Sequence, residues 1–202
     1  MTASEMSMAG FMQRIPKTVL FGVAVVIQVV LLAAMVIDRS QILRNGVEVT
    51  LQTRPIDPRD FLRGDYVVLG YDISEVSAGA LKDQPAAGWG ETVYVKLAPN
   101  RDGVHQAVSV HNEPVAVTSP EVLIRGRVVS GENCRLMRTA CTKLGLRYNI
   151  EKYFVPEGEG LKLENLRNQQ KLTVVAAVLP SGRAAIKRLL VDGESVYEEP
   201  WF

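Results

Sequence analysis

"PIDPRDFLRGDYVVLGYDIS", Pro55 to Ser74, puts a turn and a strand in one stretch. Pro58 and Gly64 are turn residues, and "DYVVLGYDI" is rich in β-branched and aromatic residues. Successive side chains on a strand face opposite sides, so Val67, Leu69, Tyr71 and Ile73 form one apolar face. Tyr66 and Val68 point the other way, with Gly70 between Val68 and Asp72 on that second face. A glycine there weakens a strand unless something must approach closely. The stretch also holds Arg63-Gly64-Asp65, a tripeptide used by some adhesion ligands. A given tripeptide arises by chance roughly a few times in a hundred in a chain of this length, so the turn reading takes precedence.

The pattern continues outward on both sides. "VEVTLQT" (Val47 to Thr53) alternates apolar and polar residues, as a half-buried strand does. "EVSAGALKDQPAAGWG" reads as a short helical turn and a loop. "TVYVKLAPNRDGVHQAVSV", from Thr92, is two alternating runs around a turn and predicts a hairpin. "EVLIRGRVVSG" is another strand, and "LGLRYNIEKYFVPEGEG" follows the cysteine-bearing stretch. "LKLENLRNQQ" has helical character with Leu161, Leu163 and Leu166, and "LTVVAAVLPSGRAAIKRLLVDG" reads strand, turn, strand. The fold class expected is mainly β with short helices.

Three pairs of segments match in order. "LRGDYV" and "IRGRVV" share an Arg-Gly at an offset of 62, "LGYDI" and "LRYNI" share a Tyr-bearing strand at 77, and "TVYVKLAPNRDG" and "TVVAAVLPSG" match at 81. These predict two copies of one β-rich unit, residues 47–118 and 119–202, each with an Arg-Gly turn, a Tyr-bearing strand and a hairpin. Leu146, Tyr148 and Ile150 then repeat the apolar face of Leu69, Tyr71 and Ile73. The second copy gains 15 residues between its first two landmarks, an insertion at about 129–145 that holds both cysteines.

"VLFGVAVVIQVVLLAAMVI", Val19 to Ile37, carries no charge and one amide, Gln28. As a helix it spans about 28 Å, close to a bilayer's hydrocarbon core. It predicts a transmembrane anchor at 19–37, between a short arm at 1–18 and a linker at 38–46. A buried core helix and a cleaved signal peptide are the alternatives. The run exceeds a signal core, and no clean small-x-small site follows it. Basic residues flank the span almost evenly, with Arg14 and Lys17 before it and Arg39 and Arg44 after. A short arm before a large domain favours a cytoplasmic arm and an extracytoplasmic C-terminal domain. Beyond residue 37 the chain holds 21 basic and 21 acidic residues, a neutral domain without the basic excess of a nucleic-acid binder.

Cys134 and Cys141 lie seven apart in "GENCRLMRTACTKLG". In an oxidising compartment such a pair would close a small loop, and two free thiols are the alternative. The spacing is not that of a Cys-x-x-Cys redox motif, and two cysteines without a nearby His make a poor zinc site.

Gly64-Asp65-Tyr66-Val67-Val68-Leu69-Gly70-Tyr71 fits Gly-Asp-Tyr-x-x-Leu-x-Tyr without departure. The chain resembles the GDYXXLXY protein family, bacterial membrane-anchored proteins named after that stretch. "RYNIEKYFVPEGEGLKLE" and "LPSGRAAIKRLLVDGE" extend the resemblance over most of residues 47–195, and the cysteine-bearing stretch fits it least. The resemblance implies a one-pass anchor in the bacterial inner membrane, a compact extracytoplasmic domain and a multi-span membrane protein as partner. It supplies no reaction.

Polar residues gather in two places. Asp57, Arg59, Asp60, Arg63, Asp65 and Tyr66 form one group, and Tyr148, Glu151, Tyr153, Glu157 and Glu159 the other. If the two copies packed face to face, these turns would share a cleft, and paired carboxylates beside an Arg do acid/base work. Equally, Asp57 and Asp60 beside Pro58 suit a capped turn, and Arg63 with Asp65 a structural ion pair. His105 and His111 lie six apart without a carboxylate or thiol pattern, so no metal is expected. No glycine-rich phosphate loop precedes a helix, and no cofactor is expected. Gly64, Leu69, Tyr71 and Tyr148 are read as structural, and Arg63, Asp65, Tyr66, Tyr153, Glu157 and Glu159 as binding candidates. The leading function is a membrane-anchored binding or assembly module. The alternative is an anchored hydrolase acting on an envelope substrate through carboxylates near residues 57–65.

Overall fold

The computed structural model describes residues 16–56, 66–77, 88–131 and 143–200. It divides into two compact units, Met1–Ser40 and Gln41–Trp201. The first is built on helix α1 (Lys17–Asn45), whose residues 17–39 are all exposed. The helix is long and apolar enough to cross a membrane, a setting in which a helix satisfies every backbone group internally. It runs past Ile37 through most of the segment read as a linker. Its last turn belongs to the second unit, where Ile42 and Leu43 are buried against Ala177 and Ala185. Gly46 ends it, donating its N–H to the Ile42 carbonyl at 2.9 Å. A Cβ at Gly46 would stand 2.6 Å from that carbonyl oxygen and 2.8 Å from the Val178 nitrogen, so only glycine fits.

The second unit is built from β1 (Val47–Arg54), β2 (Tyr66–Val68), β3 (Gly70–Tyr71), β4 (Glu75–Ser77), β5 (Thr92–Pro99), β6 (His105–His111), β7 (Val122–Ser130), β8 (Lys143–Arg147), β9 (Lys152–Phe154), helix α2 (Gly160–Asn168), β10 (Leu172–Val178), β11 (Ala184–Val191) and β12 (Glu194–Glu198). One five-stranded sheet has the order β12-β11-β10-β1-β3, another β4-β8-β7-β5-β6, and β2 and β9 form a two-stranded ribbon. Alternation works as read: Val49, Leu51 and Thr53 of β1 and Val93, Val95 and Leu97 of β5 are buried. Both sheets and the ribbon share one buried apolar cluster. Both predicted hairpins form, β5 with β6 and β10 with β11.

The motif stretch keeps its predicted apolar face, because Val67, Leu69, Tyr71 and Ile73 are all buried. It is not one strand, however. β2 and β3 are separate, and a 3₁₀ turn at Asp72–Ser74 leads into β4. Gly70 meets the close approach expected of it, since a Cβ there would lie 2.9 Å from Ile56 Cγ2.

Two readings change. Arg125-Gly126 is not a turn but the interior of β7, with Gly126 opposite Val93. The glycine is there for space: a Cβ would stand 3.1 Å from Cε1 of the buried Tyr148 ring. The Arg-Gly landmark therefore drops out, and with it the 15-residue excess counted from it. The segment between β7 and β8 occupies the same place in chain order as the segment between β1 and β2. In α2, Leu161 is exposed while Leu163 and Arg167 are buried, because Leu161 and Leu163 are two apart and cannot share a helix face.

The stretches 47–118 and 119–202 do not stand as separate bodies. β1 pairs with β10, β2 with β9, β4 with β8 and β5 with β7, all antiparallel and all across the boundary. Tyr71 Oη donates to the Ile150 carbonyl and Tyr148 Oη to the Ile73 carbonyl, each at 2.6 Å. The Tyr71 N–H donates to Ser74 Oγ, and the Tyr148 N–H to Glu151 Oε1. Tyr71 and Tyr148, Ile73 and Ile150, and Ser74 and Glu151 all lie 77 residues apart. Cys134 and Cys141 lie outside the described residues.

Candidate functional site

Asp57, Arg59, Asp60, Arg63, Gly64 and Asp65 also lie outside the described residues. The motif enters the structure at Tyr66, and β2 brings it to β9, within the second group of candidates. Tyr66 stands opposite Phe154, Val67 opposite Tyr153 and Val68 opposite Lys152. The ribbon has two faces. Val67 and Tyr153 point inward and are buried, Tyr153 packing edge-on against Tyr197 with ring centroids 6.3 Å apart. Tyr66 and Phe154 point outward, their centroids 5.9 Å apart, and Lys152 Nζ stands 5.2 Å from the Tyr66 ring centroid. That face is open: Phe154 is 75% exposed.

The backbone of β9 is open too. The Leu69 N–H donates to the Glu151 carbonyl at 2.8 Å. This fixes which residues exchange ladder bonds across the ribbon: Val67 and Tyr153 do, whereas Lys152 and Phe154 turn their N–H and C=O groups away from β2. No further strand joins that edge among the described residues.

The edge pair of the second five-stranded sheet, β4 and β8, gives the comparison. β8 and β4 pair as Lys143 with Ser77, Leu144 with Val76 and Gly145 with Glu75. A shift of 77 residues carries Tyr66, Val67 and Val68 onto Lys143, Leu144 and Gly145, and Glu75, Val76 and Ser77 onto Lys152, Tyr153 and Phe154. The buried apolar position stays apolar. The outer positions differ: the β4–β8 pair has Glu75 bridged to Arg54 at 2.9 Å and to Lys143 at 3.4 Å, and it has no aromatic residue.

The remaining candidates are tied to the fold. Glu151 accepts the Tyr148 N–H. Glu159 accepts from Tyr197 Oη at 3.1 Å and pairs with Lys162 at 2.7 Å, and these donors hold its carboxyl below the usual range. Glu157 is exposed on the turn before α2. Burial, with the Glu151 charge adding to it, pushes the Tyr71 and Tyr148 phenols well above their ordinary value, so both stay neutral donors. His105 Nδ1 accepts the Thr50 N–H at 3.3 Å, and burial holds its imidazole below the ordinary value. Ser109 Oγ and His111 Nε2 are 2.8 Å apart, but Ser109 is buried and presents no nucleophile. Among the described residues no three of His, Cys, Asp and Glu group as metal ligands.

Arg167 was not anticipated. Its side chain is fully buried, and its pKa is lowered by that burial. It donates to the Val68 carbonyl, to the Ile56 carbonyl at 3.3 Å, and to Asn168 Oδ1 from Nε at 3.2 Å and from Nη2 at 3.0 Å. Where β7 continues along β8 to Ser130, β1 stops at Arg54, opposite Gly70. Ile56 and Val68 would be the next bonded pair of that ladder, and Arg167 takes up both of their carbonyls instead. Its signal in the sequence is the four-residue spacing from Leu163, which puts it on the buried face of α2.

Phe154 and Lys152 were also passed over, although alternation around an inward Tyr153 places both outside. No curated protein and no solved structure matches the chain. The family model described as GDYXXLXY protein matches residues 28–189, from within α1 to within β11, including the ribbon and Arg167. That match covers most of the chain, and the protein belongs to the GDYXXLXY family.

Proposed function

We propose that this is a single-pass membrane-anchored assembly or binding protein. Its β-rich domain stands outside the cytoplasm at a bacterial inner membrane and holds a membrane-protein or envelope partner. The observation that carries the reading is the outward face of Tyr66, Lys152 and Phe154. An outward-facing aromatic pair with a lysine over it, where ion pairs occupy the corresponding β4–β8 pair, supports a contact surface there. The exposed apolar helix supports the anchor. We further infer that the domain arose from two copies of one unit, which the reciprocal tyrosine bonds and the equal register of the β2–β9 and β4–β8 pairs support. Shared positions then serve the fold, and positions that differ are free to serve function.

The test is a photo-crosslinking residue at position 154 in the full chain in its native membrane, with mass spectrometry of what is caught. A defined protein captured from 154 and not from 77 is the expected result. Recovery of only lipid and the chain itself would sink the reading. Outside the cytoplasm Cys134 and Cys141 should close a disulfide, so the non-reduced chain should weigh two hydrogens less than the reduced one.

A further inference from the structure

We propose that the outer edge of β9 accepts an extended, acidic and apolar segment of a partner protein as an added strand. The inference rests on the assembly reading and names the contact by which it works. Three observations carry it. The N–H and C=O groups of Lys152 and Phe154 point away from β2, so the edge offers ladder bonds to an incoming backbone. The corresponding edge, β4, has Glu75 held by Arg54 and Lys143, the kind of charged cover that discourages pairing. Among the described residues β9 lacks such cover. Its cation makes no ion pair among the described residues and rests instead over the Tyr66 ring. The charge left open for a partner is therefore positive, and the surface beside it is aromatic.

The side chains define the occupant. Lys152 and Phe154 lie two apart on one face, so an added strand sets two of its own residues beside them. A carboxylate opposite Lys152 and a large apolar side chain opposite Phe154 complement them, which gives an acidic residue and an apolar one spaced by two. Tyr66 and Phe154 shield the pair from water, and the backbone bonds supply the affinity that any sequence receives. The side chains supply the selection.

The experiment uses the full chain in nanodiscs and a displayed library of short random peptides. The expected outcome is enrichment of peptides with an acidic and an apolar residue two apart. Their binding should fall at least tenfold with Phe154→Ser, the residue found at the corresponding position 77. With Lys152→Glu, selection should turn to basic peptides. Both substitutions are on exposed side chains, so unchanged thermal unfolding serves as the check on folding. Bound peptide should also slow hydrogen exchange at the Lys152 and Phe154 amides, which point outward, more than at Tyr153. Failure to enrich any peptide, binding indifferent to both substitutions, or no added protection at 152 and 154 would each overturn the proposal. If crosslinking from position 154 still captures a defined protein, the assembly reading survives and only the strand-addition mode is lost. If crosslinking captures nothing, the assembly reading itself is lost.

Discussion

Tyr71 and Tyr148 each bury a phenol and spend its hydroxyl on a carbonyl of the opposite half. Replacing either by Phe keeps the ring and leaves the Ile150 or Ile73 carbonyl without its donor. Each change should cost about 1–3 kcal/mol in denaturant unfolding, with similar values at the two sites. Arg167 is a stronger case because it serves two backbone carbonyls. Arg167→Met should cost about 2–4 kcal/mol, with Arg167→Lys recovering part of the loss. The tyrosines were legible in advance because each sits in the same short pattern within an apolar face. Arg167 was not, because its backbone partners lie about a hundred residues away and only its four-residue spacing from Leu163 points to burial. His105 carries a pH signature. Its folded pKa lies below the ordinary 6.5, so the unfolded chain binds the proton more readily in the window between the two. Stability should fall as pH drops through about 6.5, and His105→Gln, which cannot titrate, should remove that part of the slope.

Elements were read well where alternation is strong and poorly where space decides. β1 and β5 follow their two-residue period, as does β7 from Ile124, whereas β10 is buried on both faces. The motif stretch looks like one strand because its buried face is continuous, yet the chain bends at Asp72–Ser74 so that Tyr71 and Ile73 can each meet the other half. Two glycines mark contacts that composition cannot show. Gly46→Ala should destabilise the chain strongly, because the new Cβ meets backbone atoms at 2.6 and 2.8 Å that cannot step aside. Gly126→Ala should cost less, since a ring at 3.1 Å has some room to shift. Comparing the two by thermal unfolding tests whether backbone or side chain sets the limit. The ribbon's exposed aromatic face was readable in principle, but only once the inward direction of Tyr153 was known.

The second unit is held together by pairing across its middle. Four strand pairs join residues before 112 to residues after 121, so each five-stranded sheet is completed only by strands from both halves. The connection between β6 and β7 is largely exposed and carries no regular element. A chain cut there should stay associated under native conditions and part only in denaturant. A chain ending at residue 118 should not fold, because β1, β2, β4 and β5 each lose a neighbour. Separation of the cut halves without denaturant would contradict the interlocked arrangement.

At this scale the division is clear. The sequence by itself determined the apolar span, the β character of the rest, the apolar faces around Tyr71 and Tyr148, and the family, because each depends on residues close together in the chain. Only the tertiary structure decided that the halves exchange strands, that a buried arginine takes up the Ile56 and Val68 carbonyls beyond the end of β1, and that Tyr66 meets Lys152 and Phe154 on an open edge. The ribbon, tyrosine and arginine contacts join residues 75 or more positions apart, and pairing at that distance leaves little trace in the order of side chains.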